Sequence, residues 1–538
     1  MCQWRNSIDT FQIITGGENF MDIPVWNKLT KQQKYAFVST FIIGLLSHGM
    51  MLFNKFSNRD DLRYMFSGGA TFSSGRWMLF IVEKLKNLLF QDSIYNIPAI
   101  NGFVVFFCIA ASLCLLIDLF EIHSPWLCIL LSSIMISIPV VAGMFGYMFI
   151  AQFFGISLLL AVLGPYLILR TNKWYVVITG ILLMTSSVGI YQSFIPIMIC
   201  IFLFWLIMRI SQASSRPERI LIYKKLPVIG MSLAAFIALY SAGTSLFLKL
   251  SGEKLSGYKG IGSATSVPIV EYLQRVLFAY REFFNPQSGT FYNIFPGGGQ
   301  ILFRLTIIVC AIFLLLLCFS IRKNPLSLFY TIILSLFIPL AVNFIFVMVD
   351  ETYCNALMMY GYAMFFVFFI WIFERVLTLN KPIIHAAKFS VSVIMLLLAF
   401  LFCRFDNLCY MRLAIVQSQT TRFYSTLITR MQSTTGYNSA MKVAYIGNPH
   451  AAEWDTTIPE IQELNYIHVH PYFGFRQLQE TEPWRIFMEI WLNFKAWEEE
   501  PEHFTTLSEV KAMPCYPNDG SIQIIDGVLV VKFQDIEE

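Results

Sequence analysis

Residues 97–120 read IPAINGFVVFFCIAASLCLLIDLF, a run of 24 residues in which Asp118 is the only charged side chain. A helix of about 20 predominantly apolar residues crosses the hydrocarbon core of a bilayer, so this run predicts a transmembrane helix. Comparable windows recur along the first 400 residues. Together they lie near 35–53, 97–120, 126–144, 151–169, 174–190, 193–209, 227–248, 302–320, 327–348, 356–373 and 383–402. The sequence therefore predicts a polytopic α-helical membrane protein with about 11 transmembrane helices.

The composition supports this class and excludes a soluble enzyme. Of the 538 residues, 56% are hydrophobic and 13% are charged, whereas about a quarter are charged in an average soluble domain. Mean hydropathy is +0.61. The net charge of +4 comes from loops between apolar runs rather than from one basic face, so nucleic acid is not a predicted partner.

The span count depends on the neighbouring windows 174–190 and 193–209. Polar and helix-breaking residues interrupt the apolar sequence there, and one long span with a re-entrant piece is the alternative. The interruption consists of Gly189, Tyr191, Gln192 and Pro196. Totals of ten or twelve spans therefore stay open.

Orientation follows from the basic residues of the short loops, which are retained in the cytoplasm. Lys and Arg occur in the loops around 170–173, 209–225, 322–323 and 375–381, and are absent from 145–150, 191–192 and 349–355. This pattern predicts a cytoplasmic segment 1–34, a membrane domain 35–403 and an external segment 404–538. Arg404 and Arg412, just after the last span, argue against this orientation, although long translocated domains follow the rule less strictly.

Three external segments are long enough to form a site: 54–96, 249–301 and 404–538. The first two contain amphipathic stretches, 78–90 and 266–284, that predict helices lying in the membrane plane. The alternative is that these helices pack on neighbouring spans. The last segment contains a strand candidate at 442–447, a helix candidate at 483–497 and a hairpin signal, Asp526-Gly527, within 521–533. It therefore predicts a small α/β domain.

The first external loop carries the most informative charges. Asp60 and Asp61 are adjacent, and Arg59, Arg63 and Arg76 lie near them in sequence. A carboxylate can take a proton from an attacking hydroxyl, and arginine can neutralise a leaving phosphate. A solvated loop with compensating charges is the alternative on spacing alone.

Short motifs in this region resemble a known family. They are His48-Gly49, Asn58-Arg59-Asp60-Asp61-Leu62, Ser73-Ser74-Gly75-Arg76-Trp77 and Tyr191-Gln192-Ser193-Phe194. This order resembles the type II glucosyltransferases that modify O-antigen and convert bacterial serotype. The resemblance implies a C-type membrane glycosyltransferase of the bacterial inner membrane, with a polyprenyl-phosphate sugar donor, a lipid-linked polysaccharide acceptor and a periplasmic C-terminal domain. It also implies a catalytic acid in the first external loop, with Asp60 first and Asp61 as its partner or substitute.

The same resemblance implies inversion at the anomeric carbon and cations for the donor phosphate. Arg76 fits because it lies in a motif, and Arg59 and Arg304 are further candidates. For Arg304, inside a span, the alternative is a side chain that snorkels to the interface. 

Further substrate contacts are predicted for three residues, each with a structural alternative. His48 near the end of the first span would contact substrate or form a helix–helix hydrogen bond. Glu351 and Tyr353 would bind sugar hydroxyls or an optional divalent cation, or belong to a solvated loop. No CxxC spacing occurs, and the His468 and His470 pair lacks further ligands, so no metal site is predicted.

Two other functions are consistent with a polytopic chain. A flippase or transporter of lipid-linked saccharide would favour charged groups at mid-membrane and an internal repeat, which the sequence lacks. An accessory membrane protein would present the external domain to a partner. Neither a nucleotide phosphate loop nor a DxD motif is present, which disfavours a nucleotide-linked donor. With the acidic first loop and the amphipathic helices, the resemblance implies a glycosyltransferase with a lipid-linked donor, and this is the predicted function.

Overall fold

The computed structural model describes residues 24–56, 58–69, 71–213, 215–256, 268–286, 294–379, 384–449, 459 and 481–536. As far as residue 379 the α-helices are α1 (Pro24–Lys28), α2 (Lys31–Leu52), α3 (Arg59–Arg63), α4 (Trp77–Phe90), α5 (Pro98–Leu119), α6 (Pro125–Ser137), α7 (Pro139–Phe145), α8 (Met148–Arg170), α9 (Trp174–Ile190), α10 (Ile195–Gln212), α11 (Arg216–Ser251), α12 (Ile269–Phe284), α13 (Gly299–Ser320), α14 (Pro325–Leu336), α15 (Ile338–Val342), α16 (Ile345–Met348) and α17 (Gly361–Leu379). The remaining helices are α18 (Ile384–Gln432), α19 (Thr481–Leu492), α20 (Glu502–Thr506) and α21 (Ser508–Ala512). Short 3-10 helices cover Phe72–Ser74, Gln192–Phe194, Glu351–Tyr353 and Ala356–Met358.

The long helices have the length and composition of membrane spans. Among the described residues, eight helices are long and apolar enough to cross a membrane: α2, α5, α8, α10, α11, α13, α17 and α18. The α6–α7 pair makes a ninth if its 42° bend is one broken span. Pro139 opens α7 at this bend, where its missing N–H cannot continue the preceding helix. The helices α9 and α14 are apolar but shorter. The protein is therefore a polytopic membrane protein with about eight clear spans.

Small residues bring the central helices together. Gly164 of α8 faces Gly180 of α9 so closely that a Cβ on Gly164 would lie 2.8 Å from the Gly180 carbonyl oxygen. Close backbone approach through small residues is a common way for membrane helices to pack. This contact places α9, which leads into the Tyr191 motif, directly against α8.

The last apolar helix continues far beyond the predicted span. The helix α18 has 49 residues, about 70 Å at the rise of an α-helix, whereas the sequence predicted a span of 383–402 followed by a new domain from residue 404. That boundary falls inside the continuous helix. The C-terminal residues are consequently attached to the membrane helices by a rigid element rather than by a loop.

The C-terminal segment forms a four-stranded sheet. Its strands are β1 (Lys442–Ile446), β2 (Trp497–Glu498), β3 (Ile522–Ile525) and β4 (Val528–Lys532), in the order β2-β1-β4-β3. β1 pairs in parallel with β2 and β4, while β3 and β4 are antiparallel. The predicted hairpin is confirmed, and its turn residues Asp526 and Gly527 have the positive φ values of 50° and 78° that such turns require.

One boundary in this segment differs from the prediction. The helix expected over 483–497 is α19, which ends at Leu492, and residues 497–498 form β2 instead. Asn493 has a φ of 50°, a left-handed conformation that ends the helix.

The two predicted amphipathic helices, 78–90 and 266–284, correspond to α4 and α12. In α12, Ala279 and Phe283 are buried, and the Tyr280 hydroxyl donates to the Leu336 carbonyl at 2.8 Å. Leu273 and Leu277 on the same helix are exposed. This helix therefore packs on a neighbouring helix and, among the residues that the structure describes, also exposes apolar side chains.

Candidate active site

The acidic pair lies on α3, which is fixed by the residue that precedes it. The side chain of Asn58 accepts a hydrogen bond from the Asp61 amide at 3.0 Å, as an N-cap residue does. Its amide nitrogen also donates to the carbonyl of Gly146, between α7 and α8. Asn58 thus starts the helix and attaches it to the adjacent membrane helices.

Asp61 points into the protein. It is fully buried, and its Oδ1 accepts the amide of Phe149, in the first turn of α8, at 3.2 Å. A carboxylate at a helix N-terminus compensates the helix dipole. Burial raises the pKa of the Asp61 carboxyl well above its usual range, and the Phe149 amide partly opposes this shift. The environment of Asp61 is that of an anchoring group.

Asp60 points the other way, into a cavity of about 500 Å³. Its side chain is half-buried. The cavity is lined by Asp60, Arg63, Tyr64, Gly69, Thr71, Ser73, Ser74, Arg76, Tyr147, Phe149, Ile150, Phe154, Tyr191, Ser256 and Leu357. One carboxylate, two arginines, several hydroxyls and several aromatic rings therefore share one concave site, which has the makeup of a small-ligand pocket.

Arg76 faces the same cavity. Its guanidinium lies over the ring of Tyr191, 5.4 Å from the centroid, and its buried Nε has no hydrogen-bond partner among the described residues. Arginine binds phosphate through several parallel hydrogen bonds. The structure therefore brings a carboxyl group, Asp60, and a guanidinium group, Arg76, to one pocket.

Two of the sequence motifs hold each other in place behind Arg76. The Gln192 side-chain amide donates to the Ser74 carbonyl at 2.7 Å and contacts the Tyr240 hydroxyl at 2.9 Å. Gly75, between Ser74 and Arg76, has a φ of 74°, and a Cβ there would collide with the Tyr240 hydroxyl. The turn that presents Arg76 therefore depends on glycine.

Residues of the later loops complete the wall. The Ser256 amide donates to the Ser73 carbonyl at 2.8 Å, which joins the segment after α11 to the segment before α4. Leu357 reaches the cavity from the segment before α17. The aromatic lining residues Tyr147 and Phe154 were not predicted from the sequence, and the only available signal was the break between α7 and α8 next to Tyr147.

The segment that builds this cavity matches a family model. Residues 49–368, or 320 of the 538, match the glucosyl transferase GtrII model. The chain belongs to the glucosyl transferase GtrII family. This confirms the resemblance found in the motifs, and membership implies glucosyltransferase activity in O-antigen modification. Comparison with curated proteins and with solved structures gave no match.

Within this GtrII protein, His48 does not reach the cavity. It is fully buried, with Nδ1 2.8 Å from the Tyr410 hydroxyl and Nε2 2.8 Å from the Ile136 carbonyl oxygen. Asp406 lies 3.9 Å from Nε2. The predicted substrate contact is therefore replaced by its alternative, a hydrogen bond between helices, here α2, α6 and α18.

Arg304 and Tyr353 are also absent from the residues that line the cavity. Arg304, which was predicted to bind the donor phosphate, donates to the side-chain oxygen of Asn285. Tyr353 is half-exposed on the loop before α17. The structure therefore separates these two side chains from the pocket of the GtrII protein that holds Asp60 and Arg76.

The remaining predicted positions lie partly outside the description. The side chains of Arg59 and Glu351 are outside the described residues, as are His468 and His470 entirely. Among the residues that the structure describes, no group of three or more His, Cys, Asp or Glu side chains is placed to hold a metal ion.

Proposed function

We propose that this protein transfers a glucosyl group, or another hexosyl group, from a polyprenyl-phosphate donor to O-antigen or a related surface polysaccharide. The proposal rests chiefly on one observation, that Asp60 and Arg76 line the same cavity. Family membership supplies the glucosyltransferase class. The donor type and the acid are inferred from the chemistry of the pocket and from the resemblance.

The reaction proposed for this pocket is a direct displacement with inversion. Asp60 takes the proton from an acceptor hydroxyl while the oxygen of that hydroxyl attacks the anomeric carbon. The bond from that carbon to the phosphate oxygen breaks, and the lipid phosphate leaves with the electron pair. Arg76, with Arg63 as a second cation in the lining, stabilises the charge that develops on this phosphate.

The surface next to Arg76 suits a lipid-linked donor. The helix α4 begins at Trp77, immediately after Arg76, and exposes Leu85, Leu88 and Phe90 along its later turns. An amphipathic helix of this kind binds at the boundary between headgroups and acyl chains. A donor with its phosphate at Arg76 would have its polyprenyl chain beside this apolar surface.

The proposed topology has eleven spans, a cytoplasmic N-terminus, and a periplasmic segment 404–538. It places the cavity at the outer face of the bacterial inner membrane. In α8, Phe149 lines the cavity at one end and Arg170 lies at the other, about 32 Å away at the rise of an α-helix. Because Arg170 belongs to the basic, cytoplasmic set of loops, the cavity falls on the opposite side.

The test is transfer from a defined polyprenyl-phosphate glucose to isolated polysaccharide by the purified protein in detergent. The proposal predicts a new glycosidic bond whose anomeric configuration, read by NMR, is opposite to that of the donor. Assays with and without a chelator test the optional divalent cation. A protein that moves the donor across vesicles without forming a glycosidic bond would instead be a flippase.

A further inference from the structure

Three consecutive residues of α3 contact three different parts of the protein. Asp60 lines the cavity, and Asp61 accepts a hydrogen bond from the start of α8. Leu62, which is 2% exposed, belongs to the hydrophobic core of the C-terminal domain. The helix that carries the proposed catalytic carboxylate is therefore held on one side by that domain.

The core that receives Leu62 is built from the end of α18, from α19 and from the sheet. Its buried members include Tyr424 and Leu427 of α18, Trp484 and Phe487 of α19, and Leu529 of β4. Trp484 of α19 is fully buried, stacked on Tyr424 at 5.7 Å and edge-on to Tyr445 at 4.8 Å. The helix α19 packs directly against α3. Leu62 thus belongs to a buried core that contains packed aromatic rings.

The helix α3 needs such support because it is only five residues long. Isolated helices of this length are unstable in water, since few hydrogen bonds offset the cost of ordering the backbone. Its hydrogen bonds to itself are few, such as Tyr64 N–H to the Asp60 carbonyl at 2.9 Å. The position of Asp60 therefore depends on the contacts that Asp61 and Leu62 make.

We propose that the C-terminal domain positions Asp60, and that Leu62 is the positioning residue. This inference rests on the proposed function. The family match ends at residue 368, so the domain that holds the acidic helix lies outside the matched segment. A displacement of about 1 Å in a reacting group can lower a rate about 100-fold, which is the effect expected when this anchor is removed.

The experiment compares Leu62→Ala with Leu529→Ala in the full-length protein. Leu529 is a fully buried leucine of β4 in the same core, so its truncation weakens the domain without removing a side chain of α3. Hydrogen exchange of the peptide that contains α3 is measured together with kcat and with KM for the donor. Leu62→Met, which conserves volume, is the rescue variant.

The positioning role predicts a specific pattern. In Leu62→Ala the α3 amides lose at least about tenfold in protection and kcat falls about 100-fold, while KM for the donor changes by less than about threefold. Leu529→Ala and Leu62→Met keep both α3 protection and kcat near wild type. Exchange in the sheet strands shows whether the domain stays folded in each variant.

Two results would overturn the inference. One is α3 protection in Leu62→Ala that stays at the wild-type level. The other is lost α3 protection with unchanged kcat, which would leave the proposed function intact and remove the positioning role. If instead Asp60→Asn keeps full activity, the proposed carboxylate is wrong, and the exchange measurement alone decides whether Leu62 anchors α3.

Discussion

Asp60 and Asp61 are neighbours in sequence but have different environments, and this difference separates their expected roles. Asp60 faces the cavity, whereas Asp61 is buried against the Phe149 amide. The sequence left the choice between them open because the deciding partner, Phe149, is 88 residues away in the chain. No local spacing rule reports such a contact.

The raised pKa of Asp61 predicts a pH-dependent stability. A carboxyl with a higher pKa in the folded than in the unfolded state favours folding when protonated, so stability falls as pH rises from about 4 toward the raised pKa. Asp61→Asn, which is always neutral and keeps an oxygen acceptor, should lose less stability over this range. Thermal unfolding in detergent at several pH values measures the difference. Parallel pH profiles for both proteins would contradict the burial of an ionisable Asp61.

Two of the three arginines predicted to bind the donor phosphate, Arg76 and Arg304, should behave differently when substituted. Arg76→Gln removes a cation from the cavity and should lower kcat/KM at least about 30-fold, because the charge on the leaving phosphate loses a partner. Arg304→Gln, which changes a side chain bonded to Asn285, should keep the rate within about threefold. Steady-state transfer assays give both values, and equal losses would contradict the assignment of Arg76.

At the scale of elements, the turn before α4 requires glycine at position 75. Gly75→Ala places a Cβ against the Tyr240 hydroxyl at a positive φ, so we expect about 1–3 kcal/mol of destabilisation and a marked loss of transfer. Gly230→Ala is the matched control, because a Cβ there meets nothing within 4 Å and alanine favours a helix. Thermal unfolding and transfer rates are compared, and equal behaviour of the two variants would contradict the role of this turn.

The elements were predictable where local physics dominates. Hydropathy located the long helices, since each must be apolar along its whole length, and Asp526-Gly527 located the hairpin.

The window 327–348 was predicted as one span but is divided into α14, α15 and α16. Pro339 and the buried Asn343, which donates to the Ala279 carbonyl, mark the interruption. The full length of α18 was not predicted from hydropathy because its second half is polar. This half packs against the C-terminal domain rather than against lipid.

At the scale of the whole molecule, the proposed orientation places the cavity and the basic loops on opposite sides of the membrane. We expect a membrane-impermeant maleimide to label Asp92→Cys, in the first external loop, in intact spheroplasts. Lys323→Cys, after α13, should react only once the membrane is opened. Both variants are made with Cys515→Ser, which removes a half-exposed native thiol. The reverse labelling pattern would place the cavity in the cytoplasm.

The central claim is that the Asp60 carboxylate carries out the proton transfer, and one set of initial rates tests it most directly. Transfer from polyprenyl-phosphate glucose is measured for wild type, Asp60→Asn, Asp61→Asn and Asp92→Asn. Asp92 is the control because it belongs to the same loop and pairs with Lys86 outside the cavity. The account predicts a loss of about 1,000-fold for Asp60→Asn, a much smaller loss for Asp61→Asn and no loss for Asp92→Asn. Full activity of a folded Asp60→Asn protein would contradict it.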